Sequence, residues 1–411
     1  MPAGDVAVYE ATMKEGWTDD QLAVQFHKDD PLLDDVTTRG PDDILGEYAL
    51  TGVHTGRAGG VTMVPSTGSK ELNAADSQKT NQAKWKYGRI WNAVELDTAA
   101  VKQTSNKAKA IASAVDLEVE GKVSDMRKQA TRQFFLDQTG LICKLKENTT
   151  TTTLKLTISG TYGLGVEATR QGWLVKGQVI DIGTTANEVA KADGVEITKV
   201  GYSETEPTIT ISGSNISTDE THYVSLKNSR SGTTSYEFNG FRNICSTTSK
   251  FGEINPETEP GWVAAFVDTA GGAITRQRVI KGRRLVRTVG ERPDWAFTSL
   301  KQVENLENET YPQVRFDGPG KQDTGDGESI MIGTLKVQGH EDSPEGDFTY
   351  ARKQRVFCLK SEDPYWVPQE FGNGGILEYK QGTTFLYSAL EYYLQLCVDR
   401  RNCFGQFRGL E

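Results

Sequence analysis

The stretch from Thr98 to Gln138, TAAVKQTSNKAKAIASAVDLEVEGKVSDMRKQATRQFFLDQ, decides how the rest of the chain is read. Apolar or small residues fall at Val101, Ala108, Ala112, Val115, Val119, Val123, Met126, Ala130 and Phe134. After the first step, spacings of three and four put them on one face of an α-helix. A helix over the whole stretch would run about 60 Å at 1.5 Å per residue, far beyond the usual globular length. Asp97 or Thr98 offers a side-chain oxygen to the free N–H groups of the first turn. Gly140 is placed to end the helix in the left-handed conformation. Gly121 sits inside the seam and leaves its phase intact. The apolar stripe is narrow, so the helix must lie along a sheet. Lys107, Lys109, Glu118, Lys122, Asp125 and Lys128 then face water or a neighbour. A coiled-coil segment is the competing reading, and seam alanines and valines in place of a leucine ladder weigh against it.

Composition bounds the function classes. The chain has 411 residues, enough for about two to three domains. A hydrophobic content of 36% is ample for cores, and no apolar run approaches the roughly 18 residues of a membrane-spanning helix. The opening MPAGDVAVYEATMKEGW lacks the basic-then-apolar order of a signal peptide, which predicts a protein made and kept in a cytoplasm. Cys143, Cys245, Cys358, Cys397 and Cys403 are odd in number and form no CxxC pair, so neither a disulfide framework nor a zinc site is expected. His27, His54, His222 and His340 have no metal-ligand spacing. A formal charge of -10 argues against a general nucleic-acid binder.

Taken in order, residues 1 to 46 are acidic, with paired aspartates at 19–20, 29–30, 34–35 and 42–43 and small apolar anchors between them. They read as an extended arm that needs a partner surface, with a disordered tail as the alternative for the first fifteen or so. Residues 47 to 97 read as a long hairpin. One flank starts at Tyr48 and the other runs from Lys84 to Leu96, where Trp85, Tyr87, Ile90 and Trp91 bring β-forming bulk. The polar stretch from Pro65 to Gln82 between them is longer than about 15 residues, and loops of that length usually serve a function. Residues 154 to 240 read as short strands, including Leu154–Ile158, Trp173–Val175, Val179–Ile182, Val195–Val200, Thr208–Ile211 and Tyr223–Leu226, which suggests a small sandwich or barrel. Beyond them, Ile280–Arg287 fits helix or strand, Trp295–Ser299 a buried strand, and Leu300–Leu306 a helix. Lys321–Glu328 reads as a polar loop; Arg355–Lys360, Leu386–Val398 and Phe404–Leu410 read as a return to strands.

No catalytic set stands up. Gly163-Leu-Gly165-Val-Glu-Ala168 fits a loose dinucleotide pattern, but strands are expected after it where a helix is required. There is no GxxxxGK[ST], HExxH or GxSxG. Adjacent carboxylates such as Asp19-Asp20 and Asp42-Asp43 point opposite ways on an extended chain, so a solvated loop is preferred to a cation site. The cluster Arg276, Arg278, Lys281, Arg283, Arg284, Arg287 and Arg292 can meet phosphates or the acidic arm of a neighbouring subunit, or stand as a solvated face. An acidic chain with an acidic arm favours intersubunit pairing. Trp173, Trp262, Trp295 and Trp366 are assigned to cores and interfaces.

The order of parts now becomes informative. The closing run from Tyr392 through Cys397, Asp399, Arg400, Arg401, Asn402, Cys403 and Gly405 to Gly409 resembles the last strand and turn of one large group of tailed-bacteriophage major capsid proteins with the Hong Kong 97 type shell fold. Arg292-Pro293-Asp294-Trp295 through Ser299 is similar to that group's strand before a helix, and Asp363-Pro364-Tyr-Trp366 to its turn before the closing region. The segment from Trp173 to Gly183 resembles the extra β subdomain of some members. The resemblance implies an α+β fold of the Hong Kong 97 type: N-terminal arm (1–46), extended hairpin loop (47–97), spine helix and start of a peripheral domain (98–153), inserted small β subdomain (154–240), axial domain (241–354), and return strands of the peripheral and axial domains (355–411).

The same resemblance implies a structural subunit of an icosahedral or prolate phage head, located in the virion and assembled in the host cytoplasm. Its expected partners are identical subunits in hexamers and pentamers, a separate scaffolding protein, a portal, possible decoration proteins, and packaged double-stranded DNA bound without sequence specificity. No enzyme activity, cofactor or metal is expected. The alternatives are a bacterial nanocompartment shell and a β-rich tail or baseplate attachment protein. Intersubunit contact candidates are Lys70, Lys79, Lys84, Arg276, Arg278, Arg283, Arg284 and Arg287. Lys86 joins Lys70, Lys79 and Lys84 on the hairpin; none of the four matches the crosslinking lysine of some family members.

Overall fold

The computed structural model describes residues 36–39, 44–45, 48–104, 114–310, 329–360, 365–367 and 377–411, apart from 60, 65, 68–70, 72, 75 and 161. Its helices, in chain order, are α1 (Thr98–Thr104), α2 (Ala114–Phe135), α3 (Gly165–Arg170), α4 (Phe241–Ile244), α5 (Arg276–Val289) and α6 (Leu300–Thr310). The predicted rod is therefore represented by α1 and α2. Positions 105–113, with Lys107, Ala108, Lys109 and Ala112, lie outside the described residues, as do most of the acidic arm and the polar loop Lys321–Glu328. Asp97 caps α1, its Oδ1 accepting from the Ala99 N–H at 3.1 Å. The helical end differs from expectation. α2 stops at Phe135, and Gly140 lies in the loop beyond, with a left-handed φ of 72°. A Cβ there would stand 2.6 Å from Arg230 Cγ, so close approach, not helix termination, requires the glycine.

The chain divides into two units. The first holds Met1–Pro41, Tyr87–Thr131 and Leu359–Leu394. Its long strand Phe385–Leu394 pairs antiparallel along its whole length with Gly88–Asp97. On its other side it takes Tyr365–Trp366 and Glu378–Tyr379. Met126 and Ala130 of the α2 seam are buried, while Val119 and Val123 are half-buried. The phase of the seam is thus real, and its burial is concentrated toward the C-terminal end. On this sheet Glu391 is buried and pairs with Arg89, with the Tyr365 hydroxyl 2.7 Å from its other oxygen. The Arg89 guanidinium lies 4.8 Å from the centre of the Trp91 ring.

The second unit holds Asp42–Lys86, Arg132–Cys358 and Gln395–Glu411. The hairpin is here, but its second strand is Lys79–Trp85, paired with Tyr48–Gly56. The sequence had placed that flank at Lys84–Leu96; Gly88–Asp97 instead pairs with Phe385–Leu394 in the first unit. Trp85 roots the hairpin. It is buried, donates from Nε1 to Thr51 at 3.0 Å, and meets Phe251 edge-on at 4.9 Å.

Residues 143–226 build an antiparallel sheet in the order Cys143–Lys144, Tyr223–Leu226, Val179–Gly183, Ala192–Gly201, Thr208–Ile211, Thr153–Lys155. Ile180, Ile182, Ile197, Ile209 and Val224 alternate onto one buried face, the period of two that marks a half-buried strand. Trp173 is fully buried in this core, yet Trp173–Val175 is not a strand. A short helix, α3, begins inside the glycine pattern, at Gly165, where strands were expected to follow. Gly165 is required there by packing: a Cβ would lie 2.6 Å from Leu156 Cβ.

The last sheet runs Phe266–Asp268, Gly405–Phe407, Phe348–Ala351, Trp295–Thr298, Leu335–Gly339, Ser329–Ile332. The first two strands are parallel, as are Trp295–Thr298 and Leu335–Gly339. α5 covers it, capped by Thr275, whose hydroxyl accepts from the Arg278 N–H at 3.2 Å. Val279, Gly282 and Val286 form its buried face, and the Tyr350 hydroxyl donates to Val279 O at 2.9 Å. This resolves Ile280–Arg287 as helix. The C-terminal turn of α2 also belongs to this unit: Phe134 packs edge-on against Phe238 at 5.1 Å, and Phe135 against Phe297 at 5.7 Å. Beside them Arg132 forms a buried pair with Glu237.

Candidate intersubunit surface

The hairpin and α5 supply the candidate contact residues. Lys70 lies outside the described residues. Lys79 and Lys84 are exposed on the hairpin's second strand: Lys84 because strand alternation turns Ala83 and Trp85 inward, and Lys79 because it stands at the strand's open end. The backbone N–H of Lys84 donates to Gly252 O at 2.9 Å, which ties this strand to the loop carrying Phe251. Sequence reading treated the tip as polar. The structure instead exposes Val61, Met63 and Val64 on it, with Met63 at 83%. Their signal was present as a short apolar run, but it precedes the polar stretch that drew the reading.

On α5 the five candidate arginines separate into two groups. Arg276, Arg284 and Arg287 are exposed. Arg278 is committed within the chain: it donates to Gly271 O at 2.5 Å and to Gly272 O at 3.2 Å, approaches Asp268 at 3.7 Å, and lies 4.7 Å from the Phe407 ring centre. Arg283 is half-buried and reaches Ile332 O at 3.4 Å and the Thr334 hydroxyl.

A cavity of about 600 Å³ joins the hairpin's first strand, at His54 and Arg57, to the end of α5 at Val289 and Gly290, with Arg400 and Asn402 on its wall. At its edge Glu291 gathers three arginines. Arg355 stands 2.6 Å away, Arg352 3.0 Å, and Arg400 2.5 Å. The hydrogen bond from Arg355 is the main reason the Glu291 carboxyl titrates below its ordinary range. Arg355 also reaches Asp399 at 3.0 Å. Nothing in sequence spacing joins Glu291, Arg352, Arg355 and Arg400, so this network was not legible before folding. Among the described residues no His, Cys, Asp and Glu cluster could hold a metal ion, and no helix is long and apolar enough to cross a membrane. All five cysteines are buried and unbridged. Burial pushes the Cys245 thiol up to about 12, out of range for a reactive thiolate.

No protein-family model matches the chain, and no curated protein does. Among solved structures, it overlays a chain of the capsid asymmetric unit of cyanophage A-1(L) over 95% of each chain, at 12% identity and a TM-score of 0.54. The chain has the Hong Kong 97 type shell fold. Looser overlays, which add nothing to that assignment, are with the capsid of Myoviridae phage XM1 (7% identity, 96% of each chain, TM-score 0.49) and with a holo-encapsulin complex from Synechococcus elongatus (9% identity, 100% of this chain and 97% of that one, TM-score 0.48). A hairpin exposing apolar side chains at its tip, and Arg276, Arg284 and Arg287 exposed on α5, are surfaces that this single chain leaves uncovered.

Proposed function

We propose that the protein is the structural subunit of an icosahedral or prolate phage head, assembling into pentamers and hexamers that enclose packaged double-stranded DNA. The observation that carries this reading is the overlay on the cyanophage capsid chain along 95% of both chains. Exposed Val61, Met63 and Val64 support it, since apolar side chains on a hairpin tip gain burial against a neighbour. In this reading residues 1–46 form the arm, and the hairpin of Tyr48–Gly56 and Lys79–Trp85 reaches over the adjacent copy. The spine helix opens the peripheral domain, residues 154–240 are the insertion, and residues 241–354 with the closing strands form the axial domain. Rings of five or six copies bury heterologous contacts, in which one patch meets a different patch. Many modest contacts then add up through multivalency. A scaffolding protein, a portal and a decoration protein are partners of the same proposal, and the role is structural, with no catalytic step.

Negative-stain electron microscopy and sedimentation of the purified full-length protein, alone and co-expressed with a scaffolding protein encoded beside it, test the reading. Rings or closed shells are expected. Monomers under both conditions would overturn it.

A further inference from the structure

We propose that Arg283, Arg287 and Arg292, with the Thr334 hydroxyl, form an oxyanion-binding site that takes carboxylate side chains of a second copy of this chain. The inference rests on the shell reading and deepens it by naming one contact.

The site begins in the sequence of α5, RQRVIKGRRLVRTV, which carries six cations and no acidic residue. Burial of Val279, Gly282 and Val286 fixes which side faces the sheet, so Arg276, Lys281, Arg284 and Arg287 are turned outward and Arg283 is half-buried. Arg283 and Arg292, the second from the loop after the helix, both donate to the single hydroxyl of Thr334. That oxygen is neutral and offers two lone pairs, so it satisfies one N–H from each guanidinium and neutralises neither charge. Arg287 is exposed one turn on from Arg283 and makes no ion pair among the described residues.

The contrast within the same unit is informative. Arg352, Arg355 and Arg400 surround Glu291, and Arg278 faces Asp268. Among the described residues, arginines meet carboxylates there, and the Thr334 cluster meets none. Burial first, then the crowding charges of Arg292 and Arg287, hold the Arg283 guanidinium below its ordinary range. An oxyanion relieves that crowding, and a carboxylate fits the planar fork of a guanidinium with two parallel hydrogen bonds.

Charge decides the occupant. The chain is acidic, at a formal -10, so copies repel at long range except where a basic patch meets carboxylates. A DNA phosphate would approach the same patch against the field of the whole chain. A basic helix on one copy meeting acidic residues on the next is also a heterologous contact, the type that closes into rings.

The test uses the full-length protein. Arg287→Glu with Arg292→Glu alters two exposed side chains, and an unchanged melting temperature verifies the fold. The concentration needed for half-assembly, read by sedimentation, is expected to rise by about tenfold or more. In parallel, Arg287→Lys is mixed as isotopically light and heavy chains and treated with a carbodiimide, which joins amines to carboxylates in contact. A light–heavy peptide linking the new lysine to an aspartate or glutamate is expected. Wild-type-like assembly of the charge-reversed protein overturns the inference and leaves the shell reading standing. Wild-type chains that never associate overturn the shell reading, and the inference with it. Loss of fluorescent duplex DNA binding in the charge-reversed protein, without an interchain crosslink, assigns the site to phosphate and overturns the carboxylate assignment.

Discussion

The Arg401 guanidinium lies 5.2 Å from the centre of the Phe251 ring, fully buried, with no ion pair among the described residues. Its donors go instead to backbone carbonyls: Asn243 at 2.8 Å, Ile244 at 2.9 Å, Ser246 at 2.7 Å, Ser249 at 2.9 Å and Trp262 at 3.2 Å. One side chain from the closing segment thus fixes α4, the loop after it and the turn at Trp262. Through Phe251 it also reaches Trp85 at the root of the hairpin. Burial without a counter-ion pulls its pKa down to about 10.

Arg401→Met is expected to lower stability by about 3 kcal/mol or more, because several buried carbonyls lose their donors together. Arg401→Lys should rescue only part of this, since an ammonium has three donors and no planar fork. Urea denaturation followed by tryptophan fluorescence measures both. An unshifted midpoint for the methionine variant would show that water replaces the guanidinium at no cost.

Glu291 gives stability a pH dependence of defined sign. Its folded-state pKa is depressed, chiefly by the hydrogen bond from Arg355, so it contributes stability above the ordinary carboxylate range. That contribution is lost as pH falls through the folded pKa. Glu291→Gln should flatten the fall of melting temperature on acidification and lower stability at neutral pH, where three arginines lose their shared anion. Parallel slopes for both proteins in melts across the acid range would refute this.

Gly282 lies against the sheet, and an added Cβ would stand 2.7 Å from Tyr350 Cζ and 2.8 Å from Phe407 Cε2. Alanine gains about 1 kcal/mol of helix propensity over glycine, while overpacking a rigid contact costs about 1–3 kcal/mol. The steric loss is the larger because both neighbours are buried rings. Gly282→Ala should therefore destabilise, with a lowered melting temperature as the readout, and a raised one would show that the helix shifts freely.

Glu167 is buried on α3, where its Oε1 accepts from the Glu345 N–H at 3.1 Å. Burial is the main cause that raises its pKa, so its charged form is disfavoured in the fold. Glutamine keeps an acceptor for that N–H and carries no charge. Glu167→Gln should stabilise the protein at neutral to mildly alkaline pH by up to about 1 kcal/mol. The advantage should shrink on acidification, as the native carboxyl becomes neutral. Denaturant melts at two pH values check the direction.

What the sequence by itself determined is local. Seam spacing placed Met126, Ala130 and Phe134 on one face of a helix, and all three are buried. Alternation at Val179–Ile182 and Thr208–Ile211, and the run Trp295–Thr298, named strands that form. The closing Asp399–Asn402 motif pointed to the shell fold before any contact was known. These signals survive because helix and strand periodicity is written in neighbours a few residues apart. Tertiary structure decided the partners. Gly88–Asp97 had the bulk for the hairpin, yet pairs with Phe385–Leu394, and Lys79–Trp85 fills the hairpin instead. Strand character is a property of a segment, whereas pairing depends on which distant segment buries more surface beside it. The meeting of Arg283 and Arg292 at Thr334, and of three arginines at Glu291, has the same origin. Charges far apart in sequence become neighbours only once the sheet beneath them is assembled.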